Sequence, residues 1–263
     1  MHAHQPMTHH NLRPRIEVVS EAFDMPQLGK QRRIYALLPH DYDYSGKNYP
    51  VLYLQDAQNL FNPYAPFGNW AIDQSLAEMT ARGLGDVIVI AIEHGGSERI
   101  NEFMPFSTQK HGTGYGKHYV RFLAESLKPY IDQRYRTMHT RQYTGIGGSS
   151  LGGLISIYAG LMYPETFGRL MVFSPSLWVT QRVNFNTIRF FNPITTRIYV
   201  YAGGHEGANM VGHVKRFREA IGKKGLDDTK VRFKLSVDPK GQHTEWRWGQ
   251  EFPKALEWLF YTR

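Results

Sequence analysis

A serine between closely spaced glycines is the feature of this chain best suited to do chemistry. Gly148 and Gly152 lie two residues before and two residues after Ser150, and an apolar helical pattern follows. A serine on a sharp turn between a strand and a helix needs small residues at these positions, because side chains there would collide with the neighbouring backbone. If Ser149 were the nucleophile, Leu151 would stand where the second glycine belongs. The pattern therefore favours Ser150 as a nucleophile over an ordinary glycine-rich turn.

An acid and an imidazole follow Ser150 along the chain. Glu206 comes just after one strand-like run, and His243 comes just after the next. In open α/β sheets, catalytic groups gather beyond the carboxyl ends of the strands, and the order serine, acid, histidine is typical of serine hydrolases built on such sheets. We expect His243 to take the proton of Ser150 and Glu206 to hold the imidazole in the required tautomer.

Other residues compete for these roles. His205 is adjacent to Glu206 and is an alternative imidazole, although it could not easily share a loop with its own acid partner. Asp238 ends a strand-like run and is an alternative acid, although Asp-Pro is also a common turn start. Four more histidines lack partners at metal-ligand spacing, so no metal is expected; these are His94, His111, His118 and His213.

The oxyanion formed during acyl transfer needs preorganised donors, and this type of sheet supplies backbone N–H groups. We expect one from Leu151, directly after the nucleophile, and the other from Gln58, in the turn after the third strand-like run.

The elements that must position these residues form an alternating pattern. Short apolar runs alternate with helical periodicity from the third run onward, which predicts buried parallel strands joined by helices. The first two runs have no helix between them and are predicted to form an antiparallel pair at one edge of the sheet. The predicted strands are 15–23, 33–38, 51–54, 87–92, 142–146, 170–173, 198–201 and 231–237, and the main predicted helices are 72–81, 119–131, 151–162, 210–221 and 251–260.

Length and composition indicate one α/β domain. The chain has 263 residues, of which 41% are hydrophobic and none is cysteine, so disulfides, thiolate catalysis and cysteine-ligated zinc are excluded. We expect a flexible, histidine-rich segment at 1–14 and a single domain at 15–263. No stretch resembles a signal peptide or a membrane span, which predicts a cytoplasmic protein that does not associate with membranes.

The net charge of +8 raises the question of nucleic-acid binding. The densest basic cluster lies at 215–224, within a stretch whose apolar residues recur at helical spacing. This pattern is typical of an amphipathic helix with a solvated basic face, so nucleic acid is not an expected partner. The charge could instead steer an anionic small molecule towards the protein.

Taken together, these motifs resemble the putative esterase family of α/β-hydrolases, which includes enterobactin-type siderophore esterases and is related to esterase D and to feruloyl and acetylxylan esterases. The matching segments are 51–61, 99–105, 148–153, 163–168, 174–178, 203–206 and 243–259. The resemblance implies an α/β-hydrolase fold with a mostly parallel eight-stranded sheet flanked by helices. It also implies a triad of Ser150, Glu206 and His243.

Some positions depart from the family or remain open. Ala57 stands where the family often has glycine, so its methyl group could restrict the turn that carries Gln58. Arg99 and Glu102 match family positions and are expected to form a partly buried ion pair. Aromatic side chains after the strands could wall a substrate pocket or fill the core. The candidates are Trp178, Phe61 and Phe103, with Tyr64, Phe67 and Trp70 in the same loops.

The sequence thus predicts a serine carboxylic-ester hydrolase that uses an acyl-enzyme and no cofactor, acting on a small-molecule ester with a small or sugar-linked acyl group. A siderophore trilactone esterase is the alternative within this class. Outside it, the same fold could serve an acyltransferase or a non-catalytic binding scaffold.

Overall fold

In a computed structural model of the chain, residues 12–180, 195–207, 209–222 and 231–262 are described. The sequence-predicted segment 1–14 therefore lies almost wholly outside the described residues. The strands are β1 Arg15–Met25, β2 Lys30–Leu38, β3 Val51–Gln55, β4 Ile88–Ile92, β5 Thr144–Ser149, β6 Arg169–Phe173, β7 Thr196–Gly203 and β8 Val231–Asp238. The helices are α1 Tyr42–Ser45, α2 Ile72–Ala81, α3 Arg99–Phe103, α4 Gly116–Phe122, α5 Lys128–Arg134, α6 Leu151–Met162, α7 Met210–Gly222 and α8 Glu245–Leu256.

The eight strands form one sheet in the order β1-β2-β4-β3-β5-β6-β7-β8. β2 pairs antiparallel with both β1 and β4, and every other neighbouring pair is parallel. The predicted fold, with its antiparallel first pair at one edge, is confirmed. Because β3 to β8 run in the same direction, the loops that follow them meet at one edge of the sheet.

Helices cover both faces of the sheet and enclose two hydrophobic clusters. One cluster packs α4 to α7 against one face through residues such as Tyr119, Leu154 and Phe217. The other packs α2 and α8 against the opposite face through residues such as Leu76 and Phe252. The central strands β3 and β4 are buried at every position, as expected for parallel strands covered on both sides.

Two helices differ from their predicted bounds. α4 and α5 are continuous through one π-helical turn, Leu123–Leu127, so the helical segment is longer than 119–131. Pro129 follows this turn and cannot donate a backbone hydrogen bond to the preceding turn, which accounts for the widened ladder. α8 begins at Glu245 instead of residue 251, because Thr244 caps it by accepting from the N–H of Arg247.

The basic stretch lies in α7 as far as residue 222, and Lys223 and Lys224 fall outside the described residues. Met210, Val214 and Phe217 are buried on one side, and Lys215 and Arg218 are exposed on the other. This confirms the predicted amphipathic helix. Within the described part of the chain, none of the helices is long and apolar enough to cross a lipid bilayer.

Candidate active site

Ser150 occupies a strained turn between β5 and α6. Its backbone has φ 56° and ψ −121°, a conformation that typically costs about 1–3 kcal/mol for a residue other than glycine. A Cβ atom on Gly148 would lie 2.9 Å from the Gly152 carbonyl carbon, and one on Gly152 would lie 3.0 Å from Asp56 Oδ2. Both glycines therefore permit the close approach that the sequence pattern predicted around Ser150.

Neighbouring backbone groups hold this turn in place. The N–H of Ser150 donates to the carbonyl of Phe173 at 2.9 Å, and the N–H of Ser176 donates to the carbonyl of Ser150 at 3.0 Å. The Ser150 hydroxyl lies 3.1 Å from the hydroxyl of buried Ser176. Among the described residues, no hydrogen bond joins Ser150 Oγ to His243. Catalytic hydrogen bonds are often long or unformed until substrate binds.

Glu206 and His243 are joined across two loops. His243 Nδ1 lies 3.0 Å from Glu206 Oε2, and the side chain of Glu206 has no solvent exposure. The other carboxylate oxygen, Oε1, accepts from the hydroxyl of Ser174 at 2.7 Å and from the N–H of Gly203 at 2.8 Å. Hydrogen bonds therefore hold both oxygens of the carboxylate, and the imidazole that it binds through Nδ1 lines the pocket.

Two residues that sequence reasoning missed support this pair. Ser174, with φ 45°, accepts a 2.9 Å hydrogen bond from Trp248 Nε1 while donating to Glu206. The Trp248 ring packs edge-to-face against the His243 ring, with centroids 4.7 Å apart. Trp248 thus restrains the imidazole directly and the carboxylate through Ser174. Trp248 lies five residues after His243, in the first turns of α8, and this placement depends on the earlier start of that helix.

The alternative acid and imidazole are engaged elsewhere or exposed. Asp238 accepts from Arg247 Nε at 2.7 Å and from the N–H of Lys240 at 3.0 Å. His205 is exposed, and its N–H donates to the Gly241 carbonyl. Of the candidates considered, the structure brings Glu206 together with His243.

The loops after β7 and β8 pack backbone against backbone. The N–H of Gly204 donates to the Asp238 carbonyl at 2.8 Å, beside the similar bond from His205 to Gly241. A Cβ atom on Gly204 would overlap the carbonyl of Pro239, and one on Gly203 would lie 2.6 Å from Glu206 Oε1. These glycines let the loop that carries Glu206 approach the loop that carries His243.

The two predicted oxyanion donors have different surroundings. Leu151 opens α6, and neither its N–H nor that of Gln58 has a hydrogen-bond partner in the part of the chain described. The Gln58 side chain binds the backbone of His94 through two 3.1 Å hydrogen bonds. The left-handed conformation in this turn falls on Asp56, with φ 62°, and Ala57 lies in the buried 3₁₀ turn without a positive φ. The methyl group of Ala57 therefore does not strain the turn.

A pocket of about 590 Å³ opens beside Ser150 and His243. Its walls come from the loops after β3, β4, β5 and β8. They are formed by Asp56, Asn59, Phe67, His94, Gly96, Ser97, Arg99, Ile100, Ser149, Ser150, His243, Thr244, Glu245 and Trp248.

Of the aromatic residues considered for a pocket wall, Phe67 is part of this lining, whereas Trp178, Phe61 and Phe103 are not. Phe103 is fully buried beneath Arg99 and packs against Tyr119. Phe61 packs edge-to-face on Tyr35. Trp178 is 37% exposed on the turn after β6. Aromatic residues supply both core and pocket walls, and residue type alone did not separate the two uses.

The charges in the pocket are unevenly compensated. Arg99 forms a two-pronged ion pair with Asp56, at 2.6 and 2.8 Å, and does not pair with Glu102 as expected. Glu102 is fully buried and pairs with Arg32 and Lys30 instead. Glu245 forms no ion pair among the described residues, and its carboxylate accepts from Asn59 Nδ2 at 3.4 Å and from its own backbone N–H. Burial raises the pKa of Glu245 and lowers the pKa of His94.

No group of three or more His, Asp and Glu side chains that could hold a metal ion occurs in 12–180, 195–207, 209–222 and 231–262. The chemistry available in the pocket is that of a hydroxyl on a strained turn, a carboxylate-bound imidazole and free backbone N–H groups.

The sequence of the chain matches one protein-family model and several known proteins. The family described as "Putative esterase" matches residues 26–259. The uncharacterized protein YbbA of Bacillus subtilis is 27% identical over 242 residues, which cover 87% of this chain and 92% of YbbA. The ferri-bacillibactin esterase BesA of Bacillus subtilis is 30% identical over 147 residues, which cover 49% of this chain and 48% of BesA.

Solved structures share the fold over nearly the whole chain. The BES protein from Bacillus cereus superposes with a TM-score of 0.74 at 19% identity, covering 100% of this chain and 99% of that protein. A ferulic acid esterase superposes with a TM-score of 0.69 at 17% identity, covering 94% of this chain and 98% of that one.

Proposed function

The chain belongs to the putative esterase family and is an ester hydrolase, and on that premise we propose that it acts through Ser150, His243 and Glu206 by way of an acyl-enzyme. The observation that carries the proposal is the geometry of Glu206 and His243 beside the turn that carries Ser150. A fully buried Glu206 holds His243 Nδ1 at 3.0 Å, and His243 lines the same pocket as Ser150.

In the proposed first step, the Ser150 hydroxyl turns from Ser176 towards His243 Nε2. The imidazole takes its proton as Ser150 Oγ attacks the ester carbonyl. The imidazolium then gives the proton to the leaving alcohol oxygen, and the C–O bond of the ester breaks. Water attacks the acyl-enzyme in the second half, with His243 again acting as base and then returning the proton to Ser150. Glu206 stabilises the imidazolium in both halves.

In this proposal, the N–H groups of Leu151 and Gln58 stabilise the negative charge on the tetrahedral intermediate by hydrogen bonds. Support for Leu151 comes from its place as the first residue of α6, where a helix leaves its N–H groups without partners. Support for Gln58 comes from its N–H, also free among the described residues, and from the hydrogen bonds that fix its side chain to His94. Losing one such donor typically lowers turnover by about 10²–10³.

The proposed substrate is a small or sugar-linked acyl ester, and the local charge of the pocket supports this choice. Asp56 and Arg99 form an ion pair, so the carboxylate of Glu245 gives the lining a net negative charge. A carboxylate accepts hydrogen bonds from hydroxyl groups, as a sugar or polyol would offer, and repels anions. The chain as a whole is basic, but its pocket is not.

A siderophore trilactone is the second candidate. The match to BesA over about half of the chain favours it, and the net charge of +8 would attract an anionic ferric catecholate from a distance. The net negative charge that Glu245 gives the pocket opposes it. The two candidates therefore differ in the sign of charge that the pocket prefers.

The function is tested by measuring kcat/KM for p-nitrophenyl acetate and butyrate, then for a feruloyl sugar and a ferric catecholate trilactone. We expect hydrolysis of the simple esters and a preference for the sugar ester. Ser150→Ala should abolish turnover, and the matched control Ser126→Ala, on the helix remote from the pocket, should retain it. Turnover by Ser150→Ala would refute the proposed nucleophile.

An acceptor alcohol added to the same assay separates hydrolysis from acyl transfer. Hydrolysis predicts mainly free acid at moderate alcohol concentration. A product dominated by the new ester would identify an acyltransferase, and the absence of any turnover with the wild-type chain would identify a binding scaffold.

A further inference from the structure

Three arginines lie directly beside one another on adjacent strands. Arg169 of β6 is the register partner of Arg197 of β7, which is in turn the register partner of Arg232 of β8. Register partners on neighbouring strands project from the same face of a sheet, with strands about 4.8 Å apart. Like charges placed directly opposite destabilise a sheet. The register of β6, β7 and β8 nevertheless places three arginines side by side.

A fourth arginine joins this row. Arg141, in the turn before β5, donates to the carbonyls of Pro164 and Thr195 and to the hydroxyl of Thr196, next to Arg197. The pKa of Arg169 is lowered to about 10, chiefly by burial and, in the same direction, by the charges of Arg197, Arg141 and Arg232. The four guanidinium groups are thus close enough to repel one another.

The described residues provide little compensating charge for this arginine cluster, Arg141, Arg169, Arg197 and Arg232. None of its members forms an ion pair in the described ranges, and their hydrogen bonds go to neutral groups, such as the carbonyl of Trp258 for Arg197. The carboxylate of Glu165 acts on Arg141 without an ion pair. Arg169 Nε is buried and has no hydrogen-bond partner in the part of the chain described. By contrast, Arg99 and Arg247 each bind a carboxylate.

The arginine cluster is far from the candidate active site. Arg169 is the first residue of β6, and Arg197 and Arg232 are each the second residue of their strands. Ser150, Glu206 and His243 all follow the opposite ends of strands. At about 3.3 Å per residue, the strands separate the two regions by roughly 15–25 Å.

We propose that Arg141, Arg169, Arg197 and Arg232 form a binding site for a phosphate group, either as inorganic phosphate or as a phosphate monoester. A guanidinium presents a planar fork of N–H donors that matches phosphate oxygens, and a doubly charged oxyanion relieves the repulsion among several arginines at once. The site is independent of the ester chemistry and stabilises the folded chain when occupied.

The test is thermal unfolding of the full chain in inorganic phosphate, pyrophosphate and glycerol 1-phosphate, with sodium chloride added to keep the ionic strength constant. A ligand that binds only the folded state raises Tm with its concentration. We expect phosphate to raise Tm beyond chloride. Equal rises in Tm with inorganic phosphate and glycerol 1-phosphate would show that the site binds the phosphate group alone. A larger rise with glycerol 1-phosphate would show that it prefers a phosphorylated small molecule.

Variants link the effect to the cluster. Arg197→Gln should weaken phosphate binding by about tenfold or more, since charged hydrogen bonds are lost. Arg232→Gln, an exposed edge-strand change that the fold should tolerate, should weaken binding in the same direction. Arg121→Gln is the matched control, because Arg121 is exposed and pairs with Glu125. The proposal is overturned if phosphate gives no shift beyond chloride, or if Arg197→Gln and Arg232→Gln respond like the wild-type chain.

Discussion

At the scale of single residues, the proposed mechanism depends on how firmly one buried carboxylate is held. Glu206 accepts from Ser174, from the N–H of Gly203 and from His243, and its side chain has no contact with solvent. A buried carboxylate needs this many donors, because an unpaired charge in a protein interior is strongly unfavourable. The same donors fix its orientation towards the imidazole.

Replacing Glu206 with Gln should lower kcat by about 10²–10⁴, since an amide neither stabilises the imidazolium nor fixes its tautomer. KM should change little, because Glu206 does not line the pocket. Steady-state kinetics measures both. Asp238→Asn is the matched control and should remain near wild-type activity, because Asp238 binds Arg247. A larger loss in Asp238→Asn than in Glu206→Gln would contradict the assignment of the acid.

Glu245 lines the pocket, and its ionisation is expected to lower the stability of the fold. Burial raises its pKa above the ordinary value of 4.5, so the folded state holds the proton more tightly than the unfolded state does. Ionisation of Glu245 therefore destabilises the fold above the raised pKa. This destabilisation is absent at a pH below 4.5, where the carboxyl is protonated in both states.

Glu245→Gln should accordingly raise the free energy of unfolding at neutral pH. The gain should stay below about 1 kcal/mol, because the side chain is only half-buried and solvent screens its charge. Denaturant unfolding at several pH values should show the gain vanishing as the pH falls below 4.5. A gain that is constant with pH, or a loss at neutral pH, would contradict this account.

Among the secondary-structure elements, the strands and their order along the chain were largely predictable from the sequence. All eight strands were predicted, and α2 and α6 have the predicted bounds. Periodicity did not locate the start of α8, because its first turns mix polar residues with two tryptophans and a glycine and so show no clear apolar repeat. That error concealed the position of Trp248. The role of Ser174 was also hidden, since it depends on contacts with residues 32 and 74 positions away. The placement of Ser150, Glu206 and His243 as a triad stays a prediction.

The close approach of the loops after β7 and β8 makes Gly204 sensitive to substitution. Gly204→Ala should destabilise the fold by about 1–3 kcal/mol, because its Cβ would overlap the Pro239 carbonyl. Turnover should fall as well, because the same displacement would separate Glu206 from His243. Tm and kcat measured together check this expectation.

Gly222→Ala is the control for Gly204→Ala, because a Cβ at position 222, the end of α7, meets none of the described residues within 4 Å. Equal Tm and kcat for Gly204→Ala and the wild-type chain would show that the two loops are not held by this contact.

At the scale of the whole molecule, we propose that residues 15–263 form a single cooperative unit. The two hydrophobic clusters lie on opposite faces of one continuous sheet, so neither can lose its packing without exposing strands shared with the other. The basic charge of the chain is unevenly distributed over the molecule. It is concentrated on the outer face of α7 and in the arginine cluster and is not concentrated in the pocket.

Unfolding in denaturant should therefore follow one transition. Tryptophan fluorescence reports mainly on the cluster that contains Trp70 and Trp248, whereas far-ultraviolet circular dichroism reports on helices from both faces. The two signals should have the same midpoint. Separate midpoints would show that the two faces unfold independently.

Covalent labelling would show whether Ser150 is the activated nucleophile that we propose. The wild-type chain would be treated with a fluorophosphonate probe and digested, and the modified residue would be located by mass spectrometry. We expect one adduct, on Ser150. The adduct should be absent in Ser150→Ala and should form much more slowly in Glu206→Gln. An adduct on another serine, or no adduct in a chain that hydrolyses esters, would contradict it.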